Sequence, residues 1–181
     1  MSSNKITDLF VKLYLMLVKA GDLSQILLLL FFRLNWGWQF FVTGKGKLLN
    51  HPDIVDFFTS LHLPFPNETA WFVACVECFG GILLILGLAA RPVGLILATN
   101  MTVAYLSVED ERKTVLNFGK EQDPFLHADP FFYLLTGLLA FCFGAGPLSI
   151  DGLIKRIREK KIAAAGETSE TVAEAGALAK D

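Results

Sequence analysis

The segment "AWFVACVECFGGILLILGLAAR", from Ala70 to Arg91, constrains the fold more than any other part of the sequence. It is apolar over a length that can cross a bilayer, and one ionisable side chain, Glu77, lies inside it. A charged side chain at the centre of a bilayer costs roughly 2.5–3.5 kcal/mol on insertion scales, so such a residue usually faces a partner or a polar cavity. The rest of the sequence should therefore supply a partner for Glu77.

The composition is typical of a membrane protein. The chain has 181 residues, of which 53% are hydrophobic, and its mean hydropathy is +0.49. A formal net charge of −2 provides no basic field, which argues against nucleic acid as a partner. Three dispersed cysteines do not form the framework of a disulfide-rich secreted protein. Apolar segments must be helical in lipid, because an isolated strand leaves its backbone groups unsatisfied there.

The predicted fold is an all-α membrane protein whose core, residues 23–150, is a four-helix transmembrane bundle. Two outward connections separate the spans: a short helix within His51–Pro66 and a polar loop, Glu109–Asp129. The four predicted spans are Leu23–Val42, Thr69–Leu88, Val93–Val108 and Pro130–Gly146.

The segments on either side of the core are predicted to lie at the membrane surface. Residues 1–22 predict an amphipathic interfacial helix, with Lys5, Asp8, Lys12 and Lys19 on one face. Residues 151–181 predict a basic juxtamembrane helix and then a disordered tail after Ile162. Lys and Arg are more frequent in the N-terminal segment, the second connection and the proximal C-terminal tail than in the other two connections, which predicts that both termini face the cytoplasm.

Arg33 is the predicted partner of Glu77. We place Leu23 at the inner face and Thr69 at the outer face of a membrane core about 30 Å thick. A rise of about 1.5 Å per residue then puts Arg33 and Glu77 at depths that differ by about 3 Å. Such a pair can simply lock two helices together, or it can line a polar cavity. In the second interpretation the cavity holds the head of an amphiphilic ligand such as a quinone carbonyl, and its other polar or aromatic residues are Asn35, Trp36, Gln39 and Asn100.

Cys75 and Cys78 form a Cys-x-x-Cys around Glu77 and share one helical face. They are predicted either as a reversible thiol pair facing the oxidising compartment or as small apolar packing residues. No metal site is predicted, because His51, His62 and His127 do not show ligand spacing on one helix.

Three stretches, "RLNWGWQFFVTGKGKL", "ECFGGILLILGLAARP" and "GAGPLSIDGLI", resemble the signature segments of the DoxX family. The resemblance covers roughly Leu23 to Ile154. It implies a four-helix protein of the bacterial inner membrane, similar to a small subunit associated with terminal quinol oxidase and thiosulfate:quinone oxidoreductase, or to partners of antioxidant enzymes. The polar residues that carry over are Arg33, Lys47, Glu77 and Asp151. Many relatives have an acid inside the fourth helix, whereas this chain has none between Phe131 and Cys142.

The function predicted from the sequence is a membrane subunit that supports quinone- or thiol-linked oxidoreductase chemistry, with quinone as the expected cofactor. The predicted catalytic residues are Arg33, Glu77, Cys75 and Cys78. Expected partners are the lipid bilayer and other membrane or soluble oxidoreductase subunits. The alternative is a non-catalytic membrane module that binds lipid or a protein partner, and the sequence leaves open whether the chain is an enzyme alone.

Overall fold

The computed structural model describes residues 3–116 and 123–163, and within these ranges the chain is helical and contains no strand. The all-α prediction is therefore confirmed for this part of the chain. The helices are α1 (Ser3–Leu49), α2 (His51–Ser60), α3 (Pro66–Leu86), α4 (Ala90–Ser107), α5 (Glu109–Leu116), α6 (Asp123–His127), α7 (Pro130–Phe143) and α8 (150–163).

Two of the described helices are long and apolar enough to cross a membrane. They are α1, between Thr7 and Leu49, and α3. Helix α7 is apolar but has only 14 residues. The helix bounds lie within a few residues of the predicted ones for α3, α4 and α7, and they differ most for α1.

Helix α1 is continuous over 47 residues, about 70 Å, and has no break between residues 22 and 23. The predicted boundary between a surface helix and the first span is therefore absent. Gly21 is the weakest helix former at this point, but its cost of about 1 kcal/mol is too small to end a helix flanked by good formers. Side chains 7–25 are all exposed.

Pairs of glycines bring the helices into contact. Helix α1 runs antiparallel to α3, and a Cβ on Gly81 would lie 2.6 Å from the carbonyl oxygen of Gly37. Helix α4 runs antiparallel to α7, and a Cβ on Gly94 would lie 2.6 Å from the carbonyl oxygen of Gly137. Small residues let helix backbones approach closely where the surrounding lipid provides no hydrophobic driving force. Gly81 thus allows close packing of α3 against α1.

The core lies where the two helix pairs meet. Leu97 of α4 packs over Gly80 of α3, and both Leu84 and Leu97 are fully buried. The buried cluster contains Phe40, Leu84, Val93, Leu97, Met101 and Ala140. Four helices contribute to this cluster, which fixes the positions of the polar residues around it.

The connections agree with the predictions in part. A helix within His51–Pro66 is confirmed as α2, and the basic helix is confirmed as α8. The predicted polar loop Glu109–Asp129 is instead partly helical, because α5 and α6 lie within it. An i,i+4 ion pair between Lys113 and Glu109 (2.9 Å) stabilises α5. The predicted disordered tail, from residue 164, lies outside the described residues.

Candidate functional site

Glu77 is buried in the bundle and has two partners, neither of which is Arg33. Its side chain is on α3 and the residue is only 1% exposed. Lys47 Nζ, from α1, donates to both carboxylate oxygens at 2.6 and 2.7 Å. Asn100 Nδ2, from α4, donates to Oε1 at 3.1 Å. Three helices therefore position a carboxylate that has one cation and one amide as neighbours.

Gly44 makes the Lys47–Glu77 contact possible. A Cβ at this position would clash with the backbone nitrogen of Cys78 and would lie 2.9 Å from the carbonyl oxygen of Ala74. Because Gly44 has no side chain, α1 approaches α3 one turn before Lys47. The lysine then reaches Glu77 across the helix contact, and its side chain remains 28% exposed.

The predicted Arg33–Glu77 pair is wrong. Arg33 lies fourteen residues before Lys47 on α1, which separates the two side chains by about 21 Å along the helix. The depth calculation failed because it assumed that the first span ends at Val42, whereas α1 continues to Leu49. Helix α1 is therefore shifted relative to α3, and Arg33 is level with the end of α3 rather than its centre.

Arg33 binds backbone carbonyl groups at the end of α3. Its Nε donates to Leu84 O (3.0 Å), and its Nη2 donates to Ile85 O (3.1 Å) and Leu148 O (3.2 Å). Its Nη1 donates to Ala145 O. The last carbonyls of a helix lack partners within the helix and attract cations. Arg33 thus caps α3 and joins it to the segment after α7, a structural role.

Asp151 completes this junction as a cap, but not of its own helix. Its two carboxylate oxygens accept from the backbone N–H groups of Ala89 and Ala90 at 2.9 Å each, at the start of α4. Ser149 Oγ accepts from Gly152 N (3.0 Å) and caps α8. Gly87 is the C-cap of α3 with a φ of +65°, which favours glycine.

The Lys47–Glu77–Asn100 cluster lies at one side of a cavity of about 540 Å³. This volume is within the usual range for small-molecule sites. Apart from the cluster the walls are mainly apolar and come from α1, α2, α3, α4 and the first turn of α7. The apolar lining residues include Phe40, Phe57, Phe58, Leu61, Val73, Met101 and Ala104, and the other polar ones include Thr43, Asp129 and Tyr133.

The four predicted ligand-binding residues do not share this cavity. Asn100 lines it, but Asn35, Trp36 and Gln39 line a second cavity of about 410 Å³ between α1 and the start of α7. The single predicted cavity is thus divided in two, because Arg33 and Glu77 lie at different levels of the bundle.

Cys75 and Cys78 are free thiols on a continuous helix, α3. Cys78 is buried and Cys75 partly buried, and neither is among the residues that line the two cavities. Their packing contribution is clear at Cys78, whose backbone contacts α1 at Gly44. The redox interpretation stays a prediction.

Sequence reasoning missed three residues of the site. Lys47 was counted as part of an outward connection, and only the family resemblance marked it. Tyr133 lies close enough to Glu77 to be affected by its charge, and Asp129 lies one turn before Tyr133 on the chain. Tyr133 and Asp129 each line both cavities. No spacing in the sequence indicated these two residues. Among the described residues, no group of three His, Cys, Asp or Glu side chains could hold a metal ion.

Comparison with known proteins identifies the family. The DoxX family model matches residues 28–110, which include Lys47, Glu77 and Asn100. CatD of Bacillus subtilis, a candidate oxidoreductase by name, is 33% identical over 138 residues, covering 75% of this chain and 90% of CatD. The chain belongs to the DoxX family.

A second relative of this DoxX protein comes from Haemophilus influenzae and is an uncharacterized protein. It is 30% identical over 138 residues, which cover 74% of this chain and 87% of the relative. No solved structure matches the chain. Family membership and the apolar helices together make this an all-helical membrane protein.

Proposed function

We propose that this DoxX protein is a membrane subunit of oxidoreductase chemistry and that it binds a quinone-class ligand in the cavity next to Glu77. In this proposal α1, α3, α4 and α7 cross the bacterial inner membrane with both termini in the cytoplasm. The observation that carries the proposal is the Lys47–Glu77–Asn100 cluster, built on the buried Glu77 carboxylate at one side of a mainly apolar cavity of about 540 Å³.

The chemistry of the cluster suits a ligand with a polar head and an apolar body. A lysine ammonium has three N–H donors, and Lys47 uses two of them on Glu77. The third can donate to a ligand carbonyl or hydroxyl oxygen, while the carbonyl oxygen of the Asn100 side chain can accept from a hydroxyl. Because Lys47 and Glu77 neutralise each other, the cluster favours an uncharged head group, and the apolar walls favour a ring or an isoprenoid chain.

The N-terminal part of α1 is proposed to contact the inner membrane surface. Side chains 7–25 are exposed and mostly apolar, with Lys12 and Lys19 among them. An apolar helix is not stable in water without a cover, and anionic lipid attracts lysines. Gly21 is the position where α1 can bend most easily toward that surface.

The proposal is tested by identifying what the protein carries from the membrane. The full chain is extracted with its native lipid by a disc-forming polymer, and bound quinone per protein is measured by mass spectrometry. We expect quinone in the wild-type protein and at least a tenfold loss in Lys47→Met, with Lys45→Met as the matched control because Lys45 is exposed on the same helix. Equal quinone in all three samples contradicts the proposal.

A lipid-binding module is the second candidate, because the apolar walls of the cavity would also accept an acyl chain. The same extraction distinguishes the two functions. Phospholipid that is retained in the wild type and lost in Lys47→Met, without quinone, favours the lipid-binding module.

A further inference from the structure

The second cavity has its own walls and its own chemistry. It encloses about 410 Å³, within the range of small-molecule sites. Asn35, Trp36 and Gln39 line it from α1, and Phe132 lines it from α7. Among the residues that the structure describes, only Asp129 and Tyr133 line both cavities, so a single turn of chain separates the two.

We propose that this second cavity is a separate binding site for an uncharged planar ring that carries carbonyl oxygens. The ligand class rests on the proposed function, since a quinone is such a ring. The site itself is independent of the Lys47–Glu77–Asn100 cluster, because none of those three residues lines it. The protein therefore has two ligand sites with Tyr133 between them.

Aromatic side chains provide a surface for a flat ring. The rings of Trp36 and Phe132 have centroids 5.1 Å apart and are tilted by 37°. Phe32 stacks on Trp36 with an interplanar angle of 24° and a centroid distance of 5.4 Å, which holds the indole in place from within α1. A ring that enters the cavity can contact both Trp36 and Phe132, and such aromatic contacts add to the free energy gained by burial.

Two amides provide hydrogen bonds for carbonyl oxygens. Asn35 and Gln39 are four residues apart on α1, so their side chains lie on one face of the helix. Both are exposed, and neither amide has a side-chain hydrogen bond among the residues that the structure describes. A primary amide next to hydrocarbon without a partner is costly, and each has two N–H donors that a carbonyl oxygen can accept. A ligand with carbonyl groups at both ends of a ring would satisfy them.

Asp129 makes the cavity unfavourable for an anionic ligand. Its carboxylate is exposed at the wall of the cavity, and it already repels Glu111 of α5. An anionic ligand would therefore meet like charge there, whereas an uncharged ring would not.

The test uses tryptophan fluorescence, because the chain has three tryptophans and Trp36 alone lines the cavity. Trp38 and Trp71 are exposed, so the full chain with Trp38→Phe and Trp71→Phe leaves Trp36 as the sole reporter. A short-chain benzoquinone, which quenches indole emission on contact, is titrated into this protein in lipid nanodiscs. We expect quenching that saturates.

Variants on this background locate the site. Asn35→Leu with Gln39→Leu should weaken saturable quenching at least tenfold, which corresponds to about 1.4 kcal/mol of lost hydrogen bonding. Gln25→Leu is the matched control, since Gln25 is an exposed amide on α1 outside both cavities.

Two results overturn the proposal: quenching that increases linearly with quinone, or saturable quenching that is insensitive to the double leucine change. Failure of the proposed function gives a different pattern, because calorimetry on Asn35→Leu with Gln39→Leu would then find no quinone site, whereas a chain with two sites keeps one.

Discussion

Removing Lys47 should destabilise the protein strongly, because it leaves the Glu77 carboxylate buried without a cation. Glu77 is 1% exposed, and Lys47 provides two of the three hydrogen bonds it accepts. Breaking a buried ion pair from one side costs about 3–5 kcal/mol. Since the Lys47 side chain is 28% exposed and a cavity adjoins the pair, we expect the lower end, about 3 kcal/mol.

The measurement is a double-mutant cycle on the full chain in lipid discs or mild detergent, with unfolding followed by circular dichroism. Lys47→Met alone should lower the free energy of unfolding by about 3 kcal/mol, whereas Lys47→Met with Glu77→Leu should cost less, because no charge is stranded. Lys45→Met is the matched control, since Lys45 is exposed two residues away on α1. It should change the free energy of unfolding by less than about 0.5 kcal/mol.

A second cycle tests the geometry directly. Arg33 and Glu77 share no partner and lie at different levels of the bundle, so Arg33→Met and Glu77→Leu should be additive within about 0.5 kcal/mol. The assignment of Lys47 as the partner of Glu77 would be refuted by the opposite pattern. In that pattern the changes in unfolding free energy add for Lys47→Met with Glu77→Leu and are strongly coupled for Arg33→Met with Glu77→Leu.

Three further changes probe the contacts that position the site. Gly44→Ala should lower the free energy of unfolding by about 1–3 kcal/mol, because the added Cβ meets the α3 backbone. Gly46→Ala should not destabilise the protein, because nothing lies within 4 Å of its added Cβ. Thermal denaturation compares the two variants. Asp151→Ala should cost about 1–2 kcal/mol, measured in the same way, since it removes both acceptors at the start of α4. Burial and the charge of Asp129 raise the pKa of Glu111, so ionisation of Glu111 opposes folding as the pH rises above about 4.5. Glu111→Gln should therefore raise the free energy of unfolding at pH 7 and change it little at pH 4. Equal effects at the two pH values would contradict this.

Much of the fold follows from apolar length and helix signals in the sequence. Pro66 and Pro130 occupy first-turn positions of α3 and α7, as their fixed φ favours, and both helices begin within three residues of their predicted starts. The N-terminal half of α1 was harder to assign, because a run of apolar residues with scattered lysines suits both a surface helix and the extension of a span. Short-range pattern does not distinguish a bend from a straight helix at Gly21.

The prediction was correct for Glu77 at the centre of the site and wrong for its basic partner. Glu77 was identified because a carboxylate in an apolar segment needs a neighbour, and Asn100 was placed with it. The choice of Arg33 depended on the relative shift of α1 and α3, which the sequence sets through Gly37 and Gly44 rather than through hydropathy. The seven residues between Val42 and Leu49 correspond to about 10 Å along α1, which is enough to put Arg33 out of reach of Glu77.

Arg33 and Lys47, the two basic residues by which α1 binds α3, therefore have different roles, and the difference follows from their acceptors. Arg33 donates to four backbone carbonyls, which carry no net charge and belong to the fold itself. Its planar guanidinium therefore connects α3 rigidly to the segment after α7. Lys47 donates to a carboxylate beside a cavity, and its compact ammonium keeps one donor for a ligand. Exchanging the two residue types should thus damage folding at position 33 and ligand binding at position 47. An arginine at position 47 would add bulk to the cavity, and a lysine at position 33 could not reach four carbonyls with three donors.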